Sequence, residues 1–136
     1  MIIMAVDLGK ARTGLALSDK REFLASPVGV ISEHNRERLL LQVADKAREL
    51  GAELVVVGLP KNMDGTEGDS ARSAREFGAL LEEELKVQVV LWDERCTTVT
   101  AHGYLNDTNV RGKKRKAVID QVAATVILQS FLDSRR

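Results

Sequence analysis

Three strand-length apolar runs limit what this chain can fold into: IIMAV at 2–6, ELVVVGL at 53–59 and VQVVLW at 87–92. A short, near-continuous apolar run fits a strand buried on both faces, as the strands of parallel sheets are. Two further strands are expected close to the first, TGLALS at 13–18 and FLASPVGVI at 23–31. The connections between these first three are short, so they form an antiparallel meander. Pro27 lacks an amide hydrogen and belongs on a sheet edge. Residues 35–50, NRERLLLQVADKAREL, carry a helical period, and Gly51 is a natural stop. Residues 60–69 are a loop rich in Gly and Asp, and 70–85 form a second helix. Residues 97–106 read as helical, 107–116 as a polar, basic loop, and AVIDQVAATVILQSFLD (117–133) as a strongly apolar last helix. The expectation is an α/β fold built on a mixed five-stranded sheet, with an antiparallel meander of three strands, two parallel strands and helices on both faces. At 136 residues it is expected to be one domain, 1–136.

The first run ends on a carboxylate, Asp7, two residues before Gly9. A buried, unpaired carboxylate costs several kcal/mol, roughly, or else takes up a proton. It therefore calls for a hydrogen-bond cage, a basic partner or a metal ion. Strand ends in such sheets are where functional groups collect, and Asp93 and Glu94 end the run VQVVLW. Successive strand residues point to opposite faces, so only one of that pair can share a site with Asp7. A third acid, Asp120, lies on the same helical stripe as Ala123, Ala124, Ile127 and Phe131, an apolar face that should meet the sheet. Each acid also has a plainer reading. Asp7 could cap a turn, Asp93 or Glu94 could pair with Arg95, and Asp120 could complement a helix N-terminus. Gathered together, the three would repel one another strongly without a cation. Hard oxygen ligands with no His or Cys beside them suit Mg²⁺ or Mn²⁺. Two such ions can serve phosphodiester cleavage by activating a water and stabilising the leaving oxygen.

Balanced charge argues against a protein that coats nucleic acid by bulk attraction, since 20 basic residues meet 20 acidic ones. A local basic patch is still open to it. The one cysteine, Cys96, excludes an intrachain disulfide and a CxxC metal site. No stretch approaches the roughly 20 apolar residues of a membrane span, and the start lacks a signal-peptide layout. A soluble, cytoplasmic protein with no membrane partner is expected.

The stretches VDLGKARTGLALSD, VVVGLPKNMDGTEG, WDERCTT and RGKKRKAVIDQVAATVILQSFLD occur in that order. They resemble the motifs of the YqgF/RuvX family of pre-16S rRNA nuclease and Holliday-junction resolvase-like proteins. The resemblance spans nearly the whole chain and is specific in combination, although DxG alone is weak. It implies an RNase H-like fold related to the RuvC resolvases, and divalent-metal nuclease chemistry with Mg²⁺ or Mn²⁺. Asp7 takes the place of the family's first-strand aspartate, Glu94 matches the acid of its DER motif, and Asp120 matches the acid of its last helix. These three are the expected catalytic and metal-binding residues, with Asp93 as the alternative to Glu94. Cys96 departs from the family pattern, in which leucine is more usual.

The substrate side is read from charge and loop chemistry. The loop GLPKNMDGTEGDSAR holds Gly65 and Gly68, and Asp69 or Ser70 could cap the helix that follows. With Lys61, Arg72 and Arg75 nearby, that helix start could hold a phosphate. It is not a Walker A loop, and by itself it could be an ordinary surface connection. RGKKRK places Arg111, Lys113, Lys114, Arg115 and Lys116 just ahead of Asp120, where they could grip a phosphate backbone. Arg95 and Thr97–Thr98 could orient a scissile phosphate or cap the next helix. Trp92, Phe77 and Phe131 read as core and Tyr104 leans that way, so recognition by backbone shape is favoured over stacking on an aromatic platform. His34 and His102 receive no role. The leading reading is 5′-end processing of pre-16S rRNA, by a monomer or a homodimer. The alternatives are Holliday-junction resolution or another DNA nuclease, and a non-catalytic nucleic-acid-binding ribosome assembly factor. DLGxxxxG also resembles the first phosphate turn of actin-like and sugar-kinase ATPases, but those need two lobes and this chain reads as one.

Overall fold

In the computed structural model, residues 1–96 and 112–135 are described. The sheet is made of β1 (Ile3–Asp7), β2 (Arg12–Ser18), β3 (Ala25–Ser32), β4 (Leu54–Leu59) and β5 (Gln88–Asp93). Helices α1 (Arg36–Leu50), α2 (Asp69–Leu85) and α3 (Gly112–Ser134) pack on it, and a short 3-10 turn, Glu94–Cys96, follows β5. Strand order is β3-β2-β1-β4-β5. β1, β2 and β3 pair antiparallel, while β1–β4 and β4–β5 pair parallel. The mixed sheet of three antiparallel and two parallel strands is thus the one expected from the run pattern. Pro27 lies on the edge strand β3, where its missing amide hydrogen leaves no ladder bond unmade.

Alternation along the strands divides the core in two. Met4, Val6, Val55, Val57 and Leu59 face α1 and α2, meeting Leu39, Val43, Ala47, Ala74, Phe77 and Leu81. Ile3, Ala5, Ala16, Leu54 and Val56 face α3, meeting Ala124, Ile127, Leu128, Phe131 and Leu132. Each fully buried Leu, Ile or Phe contributes about 1.5–3 kcal/mol, so α3 is held by its second half. Trp92 fastens the same helix to β5, through an edge-on contact with Phe131 at 5.5 Å and an indole N–H donated to Ser130 Oγ at 3.2 Å.

Local chemistry sets the element ends. Asn35 caps α1 by accepting the Arg38 amide at 2.9 Å, and Gly51 ends it in the left-handed region at φ 72°. Three boundaries differ from the sequence reading. β3 starts at Ala25 rather than at residue 23, because Asp19 accepts the Phe23 and Leu24 amides at 2.7 and 3.0 Å and holds them in a turn. The cap of α2 is Gly68, with no side-chain hydrogen bond, in place of Asp69 or Ser70. The last helix begins at Gly112, not 117, so Lys113, Lys114, Arg115 and Lys116 belong to its first turns and not to a loop. Lys and Arg are good helix formers, and nothing in KKRK after the opening Gly112 breaks a helix, whereas charge density alone points to a loop. Thr97, Arg111 and the helix expected at 97–106 lie outside the described residues. Among the described residues, no helix is long and apolar enough to cross a membrane.

Candidate functional site

Asp7 is the last residue of β1, and the alternation that sends Ile3 and Ala5 toward α3 sends Asp7 the same way. Its antiparallel partner on β2 is Gly14. On the other side Val6 pairs with Val57, so Asp7 stands beside Gly58, roughly one strand spacing of 4.8 Å away. A half-buried carboxylate is thus flanked on both neighbouring strands by residues without side chains. The sheet surface around it is bare where the rest is paved with Val, Leu and Ile.

Glu94 fills part of that space. A methyl group built on Gly58 would lie 2.8 Å from Glu94 Oε1, 2.9 Å from Glu94 Cδ and 2.8 Å from Ile127 Cδ1. The Glu94 carboxylate therefore rests on the Gly58 backbone, on the α3 face, against the helix that carries Asp120. The strand explains this direction. Val90 and Trp92 of β5 pack with the α3 cluster, and Glu94 continues their side.

Asp93 goes the other way, with Val89 and Leu91, toward α1 and α2. It takes Arg95 in a two-pronged ion pair: Nε donates to Oδ2 at 2.9 Å and Nη2 to Oδ2 at 2.7 Å, with Nε also 3.1 Å from Oδ1. The Arg95 amide donates to Oδ1 at 3.0 Å. These bonds, the guanidinium foremost, hold the Asp93 carboxyl below the ordinary aspartate range. The two acids that the sequence left as alternatives thus occupy opposite faces, and Glu94 is the one brought beside Asp7. Asp120 lies within α3, four residues before the fully buried Ala124; its side chain lies outside the described residues.

The loop from Pro60 to Gly68 closes on itself at the same end of the sheet. The Asn62 amide donates to Thr66 O at 2.8 Å, the Gly65 amide to Asn62 O at 2.9 Å, and Thr66 Oγ1 to Asp64 Oδ1 at 2.6 Å. The Thr66 hydroxyl and amide hold Asp64 below the usual carboxylate range. Gly65 sits at φ 89°, which a side chain would strain. The cations expected around this loop are largely occupied. Arg75 forks onto Glu67 at 2.6 and 2.7 Å, and Arg72 pairs with Asp69. Lys61, by contrast, makes no ion pair among the described residues, although its charge reaches both Asp93 and Glu67. Lys113, Lys114, Arg115 and Lys116 are placed by their helix backbone alone.

Gly14 and Gly58 were not among the expected site residues. A glycine inside an apolar strand run signals close approach of another group, and TGLALS and VVVGL both carry one.

The chain is similar along its length to known proteins. The RuvX family, described as Holliday junction resolvase, matches residues 1–134. A protein of Clostridium beijerinckii named "Putative pre-16S rRNA nuclease" is 42% identical over 98% of this chain and 96% of its own length. One of the same name from a Geobacillus species is 42% identical over 100% of both. Among solved structures, T. thermophilus RuvC in complex with a Holliday junction substrate superposes with a TM-score of 0.64 at 14% identity, covering 99% of this chain and 95% of that one. The fowlpox virus resolvase, bound to Holliday junction DNA, gives 0.64 at 11% identity, over 99% of both chains. At those identities the likeness is one of fold, which is RNase H-like. With its family match running from end to end, this chain belongs to the RuvX family.

Proposed function

We propose that the chain is a divalent-metal-dependent nuclease of the cytoplasm that hydrolyses phosphodiester bonds in structured nucleic acid, most directly the 5′ end of pre-16S rRNA. The observation that carries this reading is the Glu94 carboxylate resting on Gly58 on the face from which Asp7 emerges. Two carboxylates on one face, at the ends of strands that flank β4, repel each other when drawn together unless a proton or a cation intervenes. Both are half-buried and reachable from solvent. The donor set is hard oxygen throughout, which fits Mg²⁺ or Mn²⁺. Asp7 and Glu94 would hold the metal, and Asp120, one helical turn ahead of Ala124, would complete the cage. A metal there supplies an activated water and charge neutralisation at the phosphate. The protein's own contribution is placement: β1 and the turn after β5 would deliver the oxygens, Gly58 keeps the sheet between them bare, and Gly14 does the same on the far side of Asp7. Lys61 and the basic start of α3 would steady the phosphate backbone, with Thr97 and Arg111 as further expected contacts; Arg72, Arg75 and Arg95 would reach it only by giving up the carboxylates they face.

The relatives named as pre-16S rRNA nucleases favour precursor rRNA, while a family described as Holliday junction resolvase favours a DNA junction. One experiment separates these. Purified protein is incubated with Mn²⁺ and four substrates: a precursor-rRNA fragment, single-stranded RNA, single-stranded DNA and a four-way junction. Selective shortening of the precursor supports rRNA maturation; symmetric nicking of the junction supports resolution. Asp7→Asn should lower cleavage at least about 100-fold, in line with loss of a metal ligand, and leave RNA binding intact. Cleavage by that variant at the wild-type rate would refute the metal mechanism.

A further inference from the structure

We propose that Asp93, which lies next to the site without entering it, is a positioning residue for the metal centre. Through Arg95 it fixes the bend that lays Glu94 over Gly58, and it ties the loop from Pro60 to Gly68 to the same strand end. The proposal rests on the metal-site reading above. Its basis is the geometry at the end of β5. Asp93 spends one oxygen on the Arg95 amide two residues on, at 3.0 Å, the bond pattern of an aspartate turn. The same carboxylate grips the Arg95 side chain at 2.7 and 2.9 Å. Backbone and side chain of one residue are thus clamped by one carboxylate, and Glu94 is the residue caught between them. Its direction is the direction of that bend. The clamp reaches further, because a methyl built on Gly65 would lie 3.4 Å from Arg95 Nη1. The guanidinium therefore lies against the loop at its tightest point, where Gly65 takes up its positive φ. A forked Arg–carboxylate pair fixes orientation as well as distance, which a single contact does not.

The test is Mn²⁺ binding to the metal-free, full-length chain by titration calorimetry, with melting temperature measured alongside. Asp93→Asn keeps a carbonyl oxygen for the Arg95 amide but breaks the charged fork. Arg95→Gln breaks it from the other side. Each should weaken Mn²⁺ binding about 10-fold, the usual scale for groups that orient a metal ligand. The double variant should be no weaker than either single one, because the two residues act as a unit. Glu94→Gln should lose more. Melting temperatures of the two clamp variants should stay within about 5 °C of wild type, since a pair about one-third exposed contributes little to stability. Wild-type Mn²⁺ affinity in both clamp variants would overturn the proposal. So would loss in Asp93→Asn as complete as in Glu94→Gln with a further drop in the double, which would make Asp93 a ligand itself. Failure of the wild-type chain to bind Mn²⁺ would instead bring down the metal-site reading beneath it.

Discussion

Replacing Gly58 with alanine tests whether the bare patch of sheet is a seat for Glu94. The added methyl would stand 2.8 Å from both Glu94 Oε1 and Ile127 Cδ1. Non-bonded atoms settle at about 3.5 Å, so each neighbour must retreat by roughly 0.6 Å or more. Both contacts are the far ends of flexible side chains, so the fold survives. Overpacking of this kind costs about 1–3 kcal/mol, which lowers the melting temperature of a chain this size by about 3–10 °C. The site is less forgiving. Metal–oxygen distances tolerate deviations of about 0.2 Å, and a shift of roughly 0.6 Å in one carboxylate exceeds that about threefold. We expect Mn²⁺ affinity in Gly58→Ala to fall about 10- to 100-fold, the range seen when a ligand loses its orientation, with cleavage falling at least as far. Calorimetric titration and a thermal melt on the same sample separate the two effects. An unchanged Mn²⁺ affinity, in a variant whose melting point shows that the methyl is accommodated under strain, would refute the placement of Glu94 as a ligand.

Two further outcomes test the frame around the site. A methyl on Gly9 would collide with the backbone oxygen of Arg12, and the turn also receives Arg36 Nη1 on Gly9 O at 3.1 Å. Backbone cannot swing aside as a side chain can, so Gly9→Ala should destabilise by about 3 kcal/mol or more in a denaturant melt; a loss under about 1 kcal/mol would contradict this turn. Asp19 accepts the Leu24 and Phe23 amides, and these bonds hold its carboxyl below the ordinary 3.8. A depressed carboxylate adds stability above its unfolded pKa, and that contribution is lost as pH falls through the folded value. The amide proton shifts of Phe23 and Leu24 should therefore titrate together with a midpoint below 3.8, and Asp19→Asn should remove the transition.

The sheet was readable because its physics is periodic. ELVVVGL has no polar face to offer solvent, and it is the fully buried interior strand β4; VQVVLW was expected to be buried likewise, but β5 is the sheet edge and stays half-buried, with Gln88 exposed. The same period shows that Asp93 and Glu94 must part, but it cannot say which turns toward Asp7. That needed α3, whose Phe131 and Ser130 take Trp92 and so fix the face on which Glu94 continues. Boundaries failed where side chains overrule pattern. Phe23 and Leu24 are apolar enough for a strand, and their amides are diverted by Asp19. KKRK is charged enough for a loop, yet Lys and Arg are good helix formers that simply extend a helix packed further along, with Gly112 at its start. Gly14 and Gly58 were visible as letters, but their meaning depended on register, which puts them on either side of Asp7.

Register also changes how phosphate contact should be apportioned. Arg72, Arg75 and Arg95 look interchangeable in sequence, three guanidiniums near a loop. In the fold each faces a carboxylate: Asp69, Glu67 and Asp93. A phosphate must compete with these partners, and the forked pairs at Arg75 and Arg95 already use the geometry by which arginine grips phosphate. These side chains are better suited to stiffening the loop than to drawing in substrate. Lys61, by contrast, makes no ion pair among the described residues, and the sequence adds a run of basic residues at the start of α3. Lys113 to Lys116 precede Asp120 by seven to four residues along one helix, about 6–11 Å at 1.5 Å per residue. A net charge of zero is then compatible with nucleic-acid binding. Arg48, Arg72, Arg75 and Arg95 face carboxylates, so a balanced overall charge still leaves room for a local basic patch.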